Sequence, residues 1–181
     1  MKLLLHSCCG PCSVQCIEAL VEDGSKPDIF WYNPNIHPYT EYCSRRDSLT
    51  KFAKDKGIFV IMEDEYGLRS FVKAVESEPA GGRCAYCYRT RLERTAAVAA
   101  EHQYDAFSAS LLISPYQNHE LLQKTGEEAA AKYGVSFFYQ DFRPRFREGQ
   151  KEAREAGYYM QKYCGCIYSE EERYLSSKKK A

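Results

Sequence analysis

Short apolar runs alternate with longer stretches of helical spacing along the whole chain, and this alternation restricts the fold more than any other feature. Residues 2–6, 28–32, 58–62, 106–112 and 135–139 read as strands, and residues 13–22, 39–56, 71–76, 85–102, 118–133 and 148–161 as helices. Asp23-Gly24, Asn33-Pro34-Asn35, Gly57 and Pro79-Ala80-Gly81-Gly82 punctuate them. Strands joined through helices of about ten or more residues pair in parallel, because a parallel connection must cross back over the sheet. The expected class is therefore α/β, a single doubly wound, mostly parallel sheet flanked by helices. A chain of 181 residues is long enough to bury one such core. Residues 1–181 are read as one α/β domain, with residues 148–181 a helical C-terminal extension that carries a Cys-x-Cys pair and a basic tail.

In open α/β sheets, ligands bind outside the carboxyl ends of the strands. At those ends the sequence places Cys8-Cys9 after the first strand, Asn33-Pro34 after the second and Glu63-Asp64 after the third. Ser108 to Ser110 and Ser114-Pro115 end the fourth strand, and Asp141 follows the fifth.

Most of the nine cysteines fall into three tight groups: Cys8-Cys9-x-x-Cys12, Cys84-x-x-Cys87 and Cys164-x-Cys166. Gly10-Pro11 turns the chain after Cys8 and Cys9 into a helix, whose N-terminal field lowers a thiol pKa. Cys12 is open between a third ligand and helix packing, while Cys16, among Val14, Ile17 and Leu20, reads as a small buried hydrophobe. Cys84 and Cys87 sit three apart at a helix start, a spacing shared by zinc half-sites, dithiols and cluster half-sites. Together with Cys8 and Cys9 they make four soft ligands. The single residue between Cys164 and Cys166 suits a strained, redox-active bridge or two further metal ligands. Cys43, alone on a charged helix, takes no role.

The remaining composition sets the context. The leading apolar run of three residues is too short for a signal peptide, and nothing approaches the roughly 20 apolar residues of a membrane span, so a cytoplasmic, non-membrane protein is expected. In a reducing compartment, clustered cysteines are read as metal ligands or reactive thiols. With 25 basic and 25 acidic residues the net charge is zero, and any contact with nucleic acid must be local. Arg83, Arg89 and Arg143 are the candidates for phosphate contact, and Tyr86, Tyr88, Tyr116 and Tyr139 for stacking on a base.

The chain resembles the cobalamin-independent epoxyqueuosine reductases of the QueH type. The resemblance rests on Leu4-Leu5-His6-Ser7-Cys8-Cys9-Gly10-Pro11-Cys12, Tyr32-Asn33-Pro34-Asn35-Ile36 and Gly81-Gly82-Arg83-Cys84-Ala85-Tyr86-Cys87 with Arg91-Leu92. Ser114-Pro115, Asp141-Phe142-Arg143 and Tyr163-Cys164-Gly165-Cys166-Ile167-Tyr168-Ser169 complete it, so that it spans nearly the whole chain. It implies reductive removal of the epoxide oxygen from epoxyqueuosine at the tRNA wobble position, giving queuosine, with an unidentified electron donor. It further implies a 4Fe-4S cluster on Cys8, Cys9, Cys84 and Cys87 and a redox-active disulfide between Cys164 and Cys166. A second, mononuclear iron is also implied, for which Asp141 is the first candidate ligand and Asp64 the next. His6, Tyr139 and Asp141 are positional candidates for the proton donor, although a histidine placed like His6 is more often a satisfied core residue.

Two other readings stand beside it. The Rossmann-like or HUP-like sheet also resembles that of the PP-loop tRNA-thiolating enzymes, some of which are cluster-dependent, but the first loop lacks their Ser-Gly-Gly-x-Asp-Ser phosphate cradle. A zinc-stabilised nucleic-acid-binding module would explain the thiols, although a domain of this size needs no structural metal.

Overall fold

The computed structural model describes residues 1–77 and 82–178, so Pro79-Ala80-Gly81 and the last three residues of the basic tail lie outside the described part. Its elements run β1 (Lys2–His6), α1 (Gly10–Glu22), β2 (Lys26–Trp31), α2 (Tyr39–Lys56), β3 (Val60–Met62), α3 (Leu68–Ser77) and α4 (Gly82–Glu101). They continue with β4 (Ala106–Ala109), α5 (His119–Tyr133), β5 (Ser136–Phe137), α6 (Phe146–Glu155) and α7 (Ile167–Lys178). All strand pairs are parallel, in the order β3-β2-β1-β4-β5.

β1 is the central strand, and Leu3, Leu4 and Leu5 are wholly buried, as expected of a strand covered on both faces. The chain winds outward from β1 through β2 to β3, then returns to place β4 on the other side of β1. This reversal is the topological switch point, and the loop after β1 lies there. Right-handed crossovers put the helices of the two windings on opposite faces. Accordingly α1 packs against α2 and α6, and α4 against α3 and α5. Among the described residues no helix is long and apolar enough to cross a membrane.

Three expected elements differ. The apolar run 106–112 pairs only over Ala106–Ala109 and then tightens into a 3-10 turn at Ser110–Ile113, whose residues are buried without strand pairing, against α1 and the 3-10 turn at Arg143–Arg145. The fifth strand pairs only over Ser136–Phe137, at the sheet edge. The helix expected over 148–161 is α6, which stops before Gly157; that residue takes φ +69°, which ends the helical path. Residues 158–166 then run irregularly into α7, which the hydrophobic pattern did not announce.

Candidate functional site

The loop at the switch point carries the first thiols. α1 begins at Gly10 with Pro11 in its first turn, and Cys9 precedes it in extended conformation. Gly10 is needed for contact with α2, since a Cβ there would lie 2.9 Å from Ser48 Oγ. The Sγ atoms of Cys8, Cys9 and Cys12 lie within 4.8 Å of one another, and all three residues are buried. Cys12, which spacing alone left open, thus joins the group. Hydrogen bonds from Cys12 and Cys9, helped by the charges of Arg91 and Arg45, hold Cys8 well below the usual thiol range. Burial pushes Cys9 up, and the hydrogen bond shared with Cys8 pushes Cys12 up. Gln161 Nε2 donates to Cys12 Sγ at 3.2 Å. Cys16 is buried with its sulfur 4.0 Å from the Ser110 carbonyl, as a packing residue should be.

The second group starts α4. Cys84 is exposed and Cys87 is buried. Arg91 Nη2 donates to Cys87 Sγ at 2.8 Å and Asn35 Nδ2 donates at 3.2 Å, the surroundings of a sulfur that accepts charge. Burial pushes the Cys87 thiol up to about 12, with Arg91 pulling the other way. Arg91 is itself buried and acts on both Cys87 and Cys8, which links the two groups electrostatically.

The third group is held by a residue that the sequence reading missed. Arg45 is 1% exposed, and its guanidinium donates from Nη1 to the Cys164 carbonyl and from Nη2 to the Tyr163 carbonyl, both at 2.9 Å. Its Nε pairs with buried Glu41 at 2.7 Å, and Glu41 accepts from the Tyr159 hydroxyl on its other oxygen. Gly165 has φ +145°, a conformation that favours glycine, and a Cβ there would also meet Arg45 at 3.3 Å. His37 fixes the other side: its backbone N–H donates to the Gly165 carbonyl at 2.8 Å and its ring Nδ1 accepts from the Ile167 N–H at 3.2 Å. Cys164 and Cys166 are free thiols with different partners, Gln117 Nε2 at 3.4 Å and Ser169 Oγ at 3.6 Å.

Beside the first and third groups, and away from Cys84 and Cys87, opens a cavity of about 570 Å³. Cys8, Cys12, Cys164 and Arg45 line it together with Gln117, Gln161 and Tyr163. It therefore joins the first and third thiol groups in one space. Asp141 does not line it; three donors of Arg143 engage its carboxylate, the backbone N–H at 3.0 Å, Nε at 2.8 Å and Nη2 at 2.7 Å. Asp64 takes the Tyr42 hydroxyl at 2.7 Å and Arg46 at 2.8 Å. His6 is buried and donates to the Tyr32 carbonyl; burial lowers its pKa to about 4 and keeps it neutral. Arg83 pairs with Glu172, and Arg89 lies over the Tyr86 ring.

The donor set fits a metal group. The three buried sulfurs of Cys8, Cys9 and Cys12, with the buried guanidinium of Arg91 acting on Cys8, suit a thiolate-ligated metal group, while Arg45 is already balanced by Glu41. Ser7 Oγ, Asn33 Oδ1, Asn35 Oδ1, Ser108 Oγ and Ser110 Oγ are also buried without hydrogen-bond partners at the same strand ends.

Comparison with known proteins gives a consistent result. The family profile described as epoxyqueuosine reductase QueH matches residues 3–172. A protein of that name from Dehalococcoides mccartyi is 40% identical over 173 residues, covering 96% of this chain and 94% of its own. Another from Thermotoga maritima is 37% identical over 180 residues, covering 94% and 91%. Among solved structures, a predicted subunit of a tRNA methyltransferase from Methanocaldococcus jannaschii superposes with a TM-score of 0.55 at 15% identity, over 84% of this chain and 75% of that one. That likeness concerns the fold.

Proposed function

The chain belongs to the epoxyqueuosine reductase QueH family, and on that premise we propose that it removes the epoxide oxygen of epoxyqueuosine at the wobble position of a tRNA anticodon. It is an oxidoreductase, acting as an epoxyqueuosine reductase. The observation that carries the reading is the cavity in which a buried thiol group and Cys164 face a common space large enough for one modified base.

Converting the epoxide to an alkene consumes two electrons and two protons and releases water. A 4Fe-4S cluster, with an additional iron, supplies single electrons and a Lewis acid for the departing oxygen when bound. Cys8, Cys9, Cys84 and Cys87 would hold the cluster. Cys12 is better placed than Asp141 or Asp64 to serve the additional iron, because both carboxylates are already engaged by arginines. Hydrogen bonds from Cys12 and Cys9, with the charges of Arg91 and Arg45 behind them, favour the thiolate of Cys8. Cys164 and Cys166 as a redox pair balance the reaction: two thiols closing to a disulfide release the two electrons and two protons that the substrate takes up. A separate cytoplasmic electron donor then reopens the bridge. The thiolating alternative gains nothing from the structure, since three sulfurs occupy the loop where a phosphate cradle would stand.

The test is iron, acid-labile sulfide and zinc content of the wild type and Cys12→Ser purified without oxygen. About four or five irons with four sulfides per chain are expected, and Cys12→Ser should lose iron while keeping sulfide. One zinc and no sulfide would refute the reading.

A further inference from the structure

We propose that the outer face of α6, together with Tyr116 and Lys162, binds the backbone and one neighbouring base of a single-stranded RNA loop. This deepens the functional reading and rests on it in taking that loop to belong to a tRNA.

The argument starts from α6. Gly149 and Ala153 form its buried face; a Cβ on Gly149 would lie 3.2 Å from Gln15 of α1. Arg147, Gln150 and Arg154 follow a spacing of three and four on another face and line the cavity. Arg147 and Arg154 are two turns apart, about 10 Å along the axis.

The pairing of the cations is selective. In the same stretch Arg143 is paired with Asp141, Arg145 with Glu22 and Lys151 with Glu155. Arg147, Arg154 and Lys162, which line the cavity, have no carboxylate within 4.0 Å among the described residues. Their charges therefore act outward, in a chain whose net charge is zero.

Tyr116 supplies the second element. It lines the cavity and is 85% exposed, against 63% for Phe59, the next most exposed large apolar side chain. Its ring stands at 84° to that of Phe146, with centroids 6.1 Å apart, so it is supported from one side and open on others. An exposed aromatic beside unpaired arginines is the arrangement that stacks a base and holds its phosphates. Cys8 and Cys12 are buried where they line a concave site, which a stacked duplex base cannot enter, so the occupant is a loop with bases free to turn out. Charge and stacking thus favour RNA over an acidic peptide, which would use the cations but not the ring.

The test uses the metal-loaded protein purified without oxygen and a fluorescently labelled RNA stem–loop with unmodified guanosine in the loop, followed by anisotropy across a salt series. Arg147→Glu with Arg154→Glu should weaken binding at least tenfold and flatten the log–log salt slope by about 1.4, two single-strand phosphates at about 0.7 each. Tyr116→Ala should lose roughly 5- to 150-fold while Tyr116→Trp retains binding. Lys26→Glu with Lys54→Glu, the same charge change at the amino edge of the sheet, is the control and should bind within a factor of about two. A slope and affinity in the α6 variant equal to the control's would overturn the proposal, as would equal competition by a blunt duplex or by polyglutamate. The probe carries no epoxide, so the two readings fail separately. If the variants lose RNA while the loaded protein reduces nothing, only the reductase reading falls; if reduction stands and the variants bind normally, only this surface does.

Discussion

His37 makes the docking of the Cys-x-Cys loop sensitive to acid. Its Nδ1 accepts from the Ile167 N–H at 3.2 Å while its Nε2 donates to the Pro34 carbonyl at 3.1 Å, and only the neutral ring with its proton on Nε2 can do both. A second proton would point at a donor. The residue has no exposed surface, and burial lowers its pKa from 6.5 to about 4. Between those values the unfolded chain binds a proton that the folded chain refuses, so stability is complete above about 6.5, declines as pH falls, and levels off below about 4. At about 1.4 kcal/mol per pH unit the full effect is of order 3 kcal/mol, and the share lost between pH 6.5 and 5 is about 2 kcal/mol. Urea unfolding of the wild type and His37→Gln over that interval isolates it, since every other group titrates in both proteins. The variant should be less stable at neutral pH yet show a flatter decline. Equal declines, or a His37 imidazole that titrates near 6.5 in the folded protein by NMR, would refute the reasoning.

Two further substitutions test the same loop. Arg45→Met leaves Glu41 and the carbonyls of Tyr163 and Cys164 without their donor, and should cost about 3–5 kcal/mol in urea unfolding, with faster alkylation of Cys164; Arg45→Lys should recover part of both. Gly165→Ala imposes a side chain at φ +145° and should cost about 1–3 kcal/mol in thermal unfolding while leaving iron content unchanged, because Cys8, Cys9, Cys12, Cys84 and Cys87 are untouched.

What could be read from the sequence follows from what is local. The β1 run Leu3-Leu4-Leu5 and the turn at Gly10-Pro11 announce a buried strand and a helix start, and a reversal of strand order at β1 then puts Cys8 and Cys9 at the ligand-binding edge. The end of β4 could not be read, because buried apolar residues look alike in a paired strand and in a turn packed against a helix. Arg45 was legible in principle: it falls on the helix stripe of Glu41, Tyr42, Ser48, Leu49 and Phe52, and a cation on a buried stripe signals a partner elsewhere. That partner is a backbone loop more than a hundred residues away, which no local pattern reveals. Similarly, Arg83 and Arg143 are candidates for phosphate contact by sequence, but the fold sets Glu172 and Asp141 against them and leaves Arg147 and Arg154 without a carboxylate partner among the described residues.

The loop that closes over the first thiol group comes from the other end of the chain. Cys8, Cys9 and Cys12 leave the ribosome long before Gln161, Tyr163 and Cys164 are made, and chains fold from their N-terminal parts first during synthesis. The order of translation is therefore an order of access. Until residues 161–164 are made, Cys8 and Cys12 lack both the Gln161 donor and the Tyr163 and Cys164 side chains that line the cavity with them.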